Sequence, residues 1–187
     1  MLASMARNWW ALVLRGVAAV IFGILAFIWP QITITVLVLL FGAFIFVDGI
    51  FAIIAAFRQR EGNAQWWLLL IEGLAGVGIG ILTFFFPNAT ALVLVLFIAA
   101  WAILTGILEI IAAIRLRKEI EGELLLAISG ILSLAFGVLA FFFPASGATA
   151  IVWLIGAYAI LFGIVMISLG LRLRSWRNKN LNQRQPI

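Results

Sequence analysis

The chain has 187 residues, of which 66% are hydrophobic and 10% charged, with a net charge of +5 and a mean hydropathy of +1.28. Soluble domains carry about 25% charged residues, so this composition excludes a soluble globular domain and indicates a protein of the lipid bilayer. Cysteine and histidine are absent, which excludes disulfides and thiolate chemistry and removes the commonest general base and metal ligand.

Six apolar stretches follow one another along the chain, each about 20 residues long, which is the length that crosses the ~30 Å hydrocarbon core. The first follows Arg7 as a signal peptide would, but no small-residue cleavage site follows it. We therefore predict an all-α integral membrane protein with six transmembrane helices, forming a single transmembrane domain over residues 1–187. The predicted spans are residues 9–29, 34–57, 66–86, 90–114, 124–143 and 149–171.

Proline and glycine recur along the chain at an interval of 57 residues. A fixed period of this length indicates a repeated structural unit. We predict three helical hairpins, at residues 9–60, 66–117 and 124–174, in a pseudo-threefold arrangement about the membrane normal, because each repeat contains an even number of spans. Pro30, Pro87 and Pro144 mark the hairpin turns, since proline disfavours helical geometry in the residue before it.

Glycines at a spacing of seven lie on one face of each odd-numbered helix. Lipid gives helices no hydrophobic reason to associate, so small residues that let two backbones approach are expected at the contacts. The predicted helix-packing residues are Gly16, Gly23, Gly73, Gly80, Gly130 and Gly137.

The basic residues predict the orientation in the membrane. All Lys and Arg residues except Arg15 lie at the N-terminus, in segments 58–65 and 115–123, or in the tail at 172–187. By the positive-inside rule both termini are predicted to be cytoplasmic and the proline turns to face the opposite side. The basic tail should attract anionic lipids of the bilayer rather than nucleic acid.

Four ionisable side chains lie inside the predicted spans: Arg15, Asp48, Glu72 and Glu109. All lie roughly 8 to 14 Å from the cytoplasmic helix ends, at 1.5 Å per residue, so they are able to share one intramembrane charge cluster. Arg15, Glu72 and Ser129 occupy the same position of the repeat, and the third repeat carries none of these charges. The hairpin scaffold therefore does not require them.

Intramembrane charges are functional candidates by default, but three interpretations of the cluster stay open. The charges are structural if they extend to the interface or form an ion pair between repeats. They are a switch if they respond to protons or ions, and a solute site if they bind a transported molecule. No metal site, cofactor or catalytic residue is predicted, because no nucleophile or paired-acid motif stands in the sequence. Trp101, Trp153 and Tyr158, within spans, are predicted to be packing residues.

The tripled segment at residues 15–30, 73–87 and 130–144, together with the Asp48 and Gly49 pair, resembles the HdeD-type acid-resistance membrane proteins of bacteria. The resemblance covers nearly the whole chain and rests on glycine, proline and hydrophobic positions. It implies a small inner-membrane protein that contributes to survival under acid stress and has no established enzyme activity.

Two functional hypotheses follow from the charges and the resemblance. Acid could protonate Asp48, Glu72 and Glu109, release Arg15 from its partner and shift the bundle between two packings. Alternatively the bundle binds another membrane protein or a copy of itself, without titration. A small channel or carrier for protons or a small solute is the competing class, since parallel repeats also suit transport.

Overall fold

The computed structural model describes residues 9–60, 65–116 and 123–182, with side chains described as far as Leu173 except that of Leu116. Within these ranges the chain forms six α-helices and no strand. Each helix contains an apolar segment long enough to cross a membrane. The predicted all-α fold with six transmembrane helices is therefore confirmed. The helices are α1 (Trp9–Ile28), α2 (Pro30–Arg58), α3 (Trp66–Phe85), α4 (Pro87–Leu116), α5 (Glu123–Phe142) and α6 (Pro144–Asn182).

The proline turns are only one residue long. Trp29, Phe86 and Phe143 are the single residues between consecutive helices, and proline begins the next helix each time. Proline suits this first position, where its missing N–H has no helical partner to lose. The even-numbered helices therefore begin three to five residues earlier than the predicted spans at 34, 90 and 149.

The chain divides into two compact units, residues 1–33 with 150–187, and residues 34–149. The first unit holds α1 and most of α6, and the second holds α3, α4, α5 and most of α2. In the second unit α4 and α5 pack along their lengths, whereas α3 and α4 contact each other much less. The closest packing is thus between helices of successive repeats, and not between the two helices that a proline turn joins.

Glycine pairs account for this close packing. In each pair a glycine of an odd-numbered helix meets a glycine of an even-numbered helix so closely that a Cβ on either would strike the other backbone. The pairs, with the distance from a Cβ built on the first glycine to the carbonyl oxygen of the second, are Gly16 and Gly163 (2.7 Å), Gly49 and Gly73 (2.7 Å), and Gly106 and Gly130 (2.7 Å). The same contact recurs in all three repeats.

A second layer of contacts lies two turns nearer the proline turns. A Cβ on Gly23 would lie 2.6 Å from the Gly156 carbonyl oxygen, and one on Gly137 would lie 2.7 Å from that of Ala99. A Cβ on Gly80 would likewise lie 3.0 Å from the Gly42 carbonyl oxygen. All six glycines predicted to pack therefore lie at backbone contacts between helices.

Only small side chains fill the interior of these helix pairs. Ala26, Ala56 and Ala99 are fully buried, whereas Phe44 and Phe85 are more than two-thirds exposed. Lipid is as apolar as leucine, so large side chains gain nothing by leaving it. The helix pairs are therefore held by close backbone packing, and the large hydrophobic residues form the surface.

Substitution at these contacts should destabilise the fold, and an open glycine supplies the control. Gly106→Ala would place a methyl group 2.6 Å from the Leu134 backbone nitrogen. We expect the free energy of unfolding to fall by about 1–3 kcal/mol through overpacking. Gly78 has nothing within 4 Å of its would-be Cβ, so Gly78→Ala should change stability little or raise it by up to about 1 kcal/mol through helix propensity.

Titration with SDS in a mild detergent would measure the free energy of unfolding of both variants. A Gly106→Ala protein as stable as the original, or equal losses in the two variants, would contradict this account of the packing.

Candidate functional site: the intramembrane charges

Two of the predicted site residues flank one glycine contact. Asp48 immediately precedes Gly49 on α2, and Glu72 immediately precedes Gly73 on α3. Gly42 meets Gly80 in the same helix pair, so the two helices run antiparallel. In an antiparallel pair the residues just before two contacting positions point to the same side and lie at nearly the same level. Asp48 and Glu72 are both exposed, and together they are called the carboxyl face below.

The equivalent position on α4 and α5 holds hydroxyl groups instead of charges. Thr105 and Ser129 precede the contacting pair Gly106 and Gly130. The Thr105 hydroxyl donates to the Trp101 carbonyl oxygen at 2.9 Å, so its polar group is satisfied within its own helix. The Gly106 and Gly130 contact is therefore as close as the Gly49 and Gly73 contact, although the residues before it are neutral.

In the first unit the same position holds an arginine and an aromatic ring. Arg15 precedes Gly16 on α1 and Phe162 precedes Gly163 on α6, and both are exposed. The Tyr158 ring stacks on Phe162 with centroids 6.1 Å apart. Arg15 and Phe162 are hereafter the arginine face. Residues 1–33 and 150–187 contain no Asp or Glu, so Arg15 has no anionic partner within its own unit.

Glu109 differs from the other carboxyl groups because it is partly buried. It lies one helical turn beyond Thr105 on α4, on the same side of the helix. Its Oε2 atom is buried and accepts no hydrogen bond from any described residue. A buried polar atom without a partner is costly and rare in folded proteins. Glu109 therefore holds the least satisfied polar atom of the predicted set.

Within the second unit no ion pair joins the described residues. Asp48 and Glu72 come together on one face, and Glu109 lies separately on the next helix pair. The pairing of Arg15 with any of these carboxyl groups stays a prediction.

The predicted site residues omit two buried polar residues, Thr33 and Thr83. Thr83 is fully buried, and its hydroxyl donates to the Ile79 carbonyl oxygen at 2.8 Å and accepts from the Thr90 hydroxyl at 3.2 Å. Alanines, Ala26 and Ala140, occupy this position in the other repeats. The 57-residue comparison contained this signal, since threonine stands alone there among small apolar residues.

The aromatic residues within the spans differ from expectation. Trp101 is 60% exposed and Tyr158 is 70% exposed, so neither is packed between helices as predicted. Trp153 is about half exposed, although its ring stacks on Phe27 at 6.2 Å. The physical reason is that a contact sized for glycine and alanine has no room for indole or phenol rings.

The described residues offer little for other site chemistry. No group of three or more Asp, Glu, His or Cys residues able to hold a metal ion occurs among them. A groove of about 250 Å³ lies at the proline-turn ends of α4 and α6, and Asn88 is the one polar side chain among the residues that line it. Such a groove suits an apolar chain better than a polar solute.

These features define a multi-pass, all-α membrane protein built from three equivalent helical repeats. The family described as a short repeat of unknown function, DUF308, matches the chain three times, at residues 14–78, 71–142 and 128–182. The chain belongs to this family, which is the domain family of the HdeD-like proteins. The comparison with curated proteins and the comparison with solved structures each give no match.

The carboxyl face should be dispensable for folding, because the hydroxyl residues of the next repeat occupy the same position. We expect the double variant Asp48→Thr with Glu72→Ser to keep the free energy of unfolding within about 0.5 kcal/mol of the original, or to raise it. Gly49→Ala, one residue along α2, is the matched control and should destabilise the protein. Thermal unfolding in detergent measures both. A large loss in the double variant would show that the charges hold the helices together.

Proposed function

We propose that this chain is a non-enzymatic protein of the bacterial inner membrane that contributes to survival under acid stress, with both termini in the cytoplasm. Membership of the family that includes the HdeD-like proteins supports the acid-stress role. The distribution of Lys and Arg supports the orientation. The intramembrane carboxyl groups supply the proton-responsive part.

The observation that carries the proposal is the buried, unpartnered Oε2 atom of Glu109. A carboxylate in an apolar span costs about 2.5–3.5 kcal/mol on insertion scales, and a partner that offsets this cost is absent from its own unit among the described residues. Binding a proton removes the charge, and a proton is the smallest species that can reach a buried oxygen. In this proposal Glu109, the least satisfied group in the span, is the primary site of the acid response.

Asp48 and Glu72 extend the response to a second helix pair. Two carboxylates on one face of α2 and α3 repel each other across the Gly49 and Gly73 contact, and the repulsion is strong where water is scarce. Protonation of either one removes it. We propose that acid thereby shifts this pair toward tighter packing, and that the change between the two packings, which a permanently neutral side chain cannot undergo, is what protects the cell.

Transport is the alternative, and the polar groups give it less support. On the proline-turn side of the charges, the Thr83 and Thr90 hydroxyls are already engaged with each other and with backbone carbonyls. The large residues around them, such as Phe85 and Phe86, are exposed and apolar. A polar path that continues from the carboxyl groups toward the proline turns is not evident among the described residues.

The test is acid-challenge survival of a strain that lacks this protein and is complemented with single variants at equal protein abundance. We expect Glu109→Gln, and the double variant Asp48→Asn with Glu72→Gln, to lower survival to near that of the uncomplemented strain, because an amide cannot bind the proton. Glu123→Gln is the matched control. It changes an exposed carboxyl group at the first residue of α5 and should leave survival unchanged.

Full survival of both amide variants would refute the proton-responsive role. Proton flux in reconstituted liposomes that is lost in Asp48→Asn would instead favour the transport alternative.

A further inference from the structure

Arg15 and Glu72 occupy equivalent positions along their own helices. Arg15 stands six residues after the start of α1 at Trp9, and Glu72 stands six residues after the start of α3 at Trp66. Both are therefore roughly 9 Å from the beginning of their helices. Asp48 joins Glu72 at this level through the Gly49 and Gly73 contact. Because α1 and α3 are both expected to begin at the cytoplasmic interface, two copies inserted with the same orientation should present these groups at similar heights.

Both faces lack a partner within their own units. Arg15 lies in a unit without acidic residues, and no described residue of the other unit forms an ion pair with Asp48 or Glu72. All three side chains are exposed, so without a partner each would meet lipid, where an unpaired charge is costly. Such a cost calls for a covering group of opposite charge.

We infer that a second copy of this chain supplies that group, with its arginine face docked on the carboxyl face of the first. Arg15 is the only Lys or Arg within the spans rather than at their ends. A guanidinium has five donors in a fixed fork and can bind both carboxylates at once. Anionic lipids cannot pair with Asp48 or Glu72, because both carry negative charge. Lipid amines are positively charged but lie at the depth of the headgroups.

The neighbouring residues permit a close approach of the two copies. Ala18 lies one turn from Arg15 on α1, and Ala75 lies one turn from Glu72 on α3, and both are exposed. Small residues beside polar groups let helices of different chains approach and form hydrogen bonds across the contact. Each copy carries one face of each kind, so the contact is satisfied either reciprocally in a twofold dimer or around a closed ring. This inference needs no titration and does not depend on the proposed function.

The absence of cysteine makes a crosslinking test direct. Two differently tagged copies are expressed together, one carrying Ala18→Cys and the other Ala75→Cys, and membranes are oxidised. We expect a disulfide between the two tags. The matched control replaces Ala18→Cys with Leu132→Cys, because residue 132 is the third-repeat equivalent, is exposed and lies near Ser129 rather than a charge. The control should crosslink about fivefold less, the ratio expected from polar helix contacts in a membrane.

Charge variants show whether the ion pair drives the contact. Arg15→Gln, or Asp48→Asn with Glu72→Gln, should reduce the yield about fivefold, and Arg15→Glu combined with Glu72→Arg in the partner copy should restore part of it. Thermal unfolding of each variant in detergent separates loss of association from loss of folding.

Equal yields in the control, or yields unaffected by Arg15→Gln in a folded protein, would overturn the inference. So would a disulfide that forms only within one chain carrying both cysteines, since that result would place Arg15 against its own carboxyl groups.

Discussion

Backbone contact between glycines is the constraint on which the rest of this structure depends. Helices in lipid gain no hydrophobic free energy by associating, so they must approach closely enough for dispersion and weak backbone interactions to act. The Gly49 and Gly73 pair achieves this with a separation that leaves no space for a methyl group. The same pair recurs at the equivalent positions of the other repeats. A buried core of glycine, alanine, valine and threonine follows from it, as does a surface of leucine, isoleucine and phenylalanine.

The glycine contacts also determine which helices pair. A proline turn of one residue joins α3 to α4, yet these helices contact each other sparsely, with the Thr83 and Thr90 hydrogen bond close to their turn. The tight contacts are made by α3 with α2 and by α4 with α5. The family match at residues 14–78 extends beyond its own hairpin into α3, the helix that packs on α2.

Much of this fold was predictable from sequence because its signals are local and strong. Span length follows from the thickness of the bilayer, and the period of 57 residues relates each glycine to its copies. The angular position of the charges was not predictable in the same way. The distance from the helix ends predicts a similar depth for Arg15, Asp48 and Glu72. The direction of each side chain, however, depends on which helices pair. Helix pairing depends on residues far apart in the sequence. The proline turns suggested that the two helices of one hairpin pack together, whereas the tight contacts join helices of different repeats.

The charges themselves show what the scaffold leaves free to vary. Asp48, Thr105 and Phe162 occupy one repeat position beside identical glycine contacts, so an acid, a hydroxyl and an aromatic ring are equally compatible with the packing. The glycine contact fixes the position of such a charge along the helix, and the same contact forms where no charge is present. The free-energy cost of this charge in lipid must then be offset by a group outside the helix pair. The exposed carboxyl groups of the carboxyl face and the partly buried carboxyl group of Glu109 differ in which group can do so. The exposed carboxyl face is open to a large partner such as a guanidinium, whereas the Oε2 atom of Glu109 is buried. The proposed association and the proposed acid response share Asp48 and Glu72, whereas Arg15 belongs only to the association and Glu109 only to the acid response. Substitution of Arg15 or of Glu109 therefore separates the two.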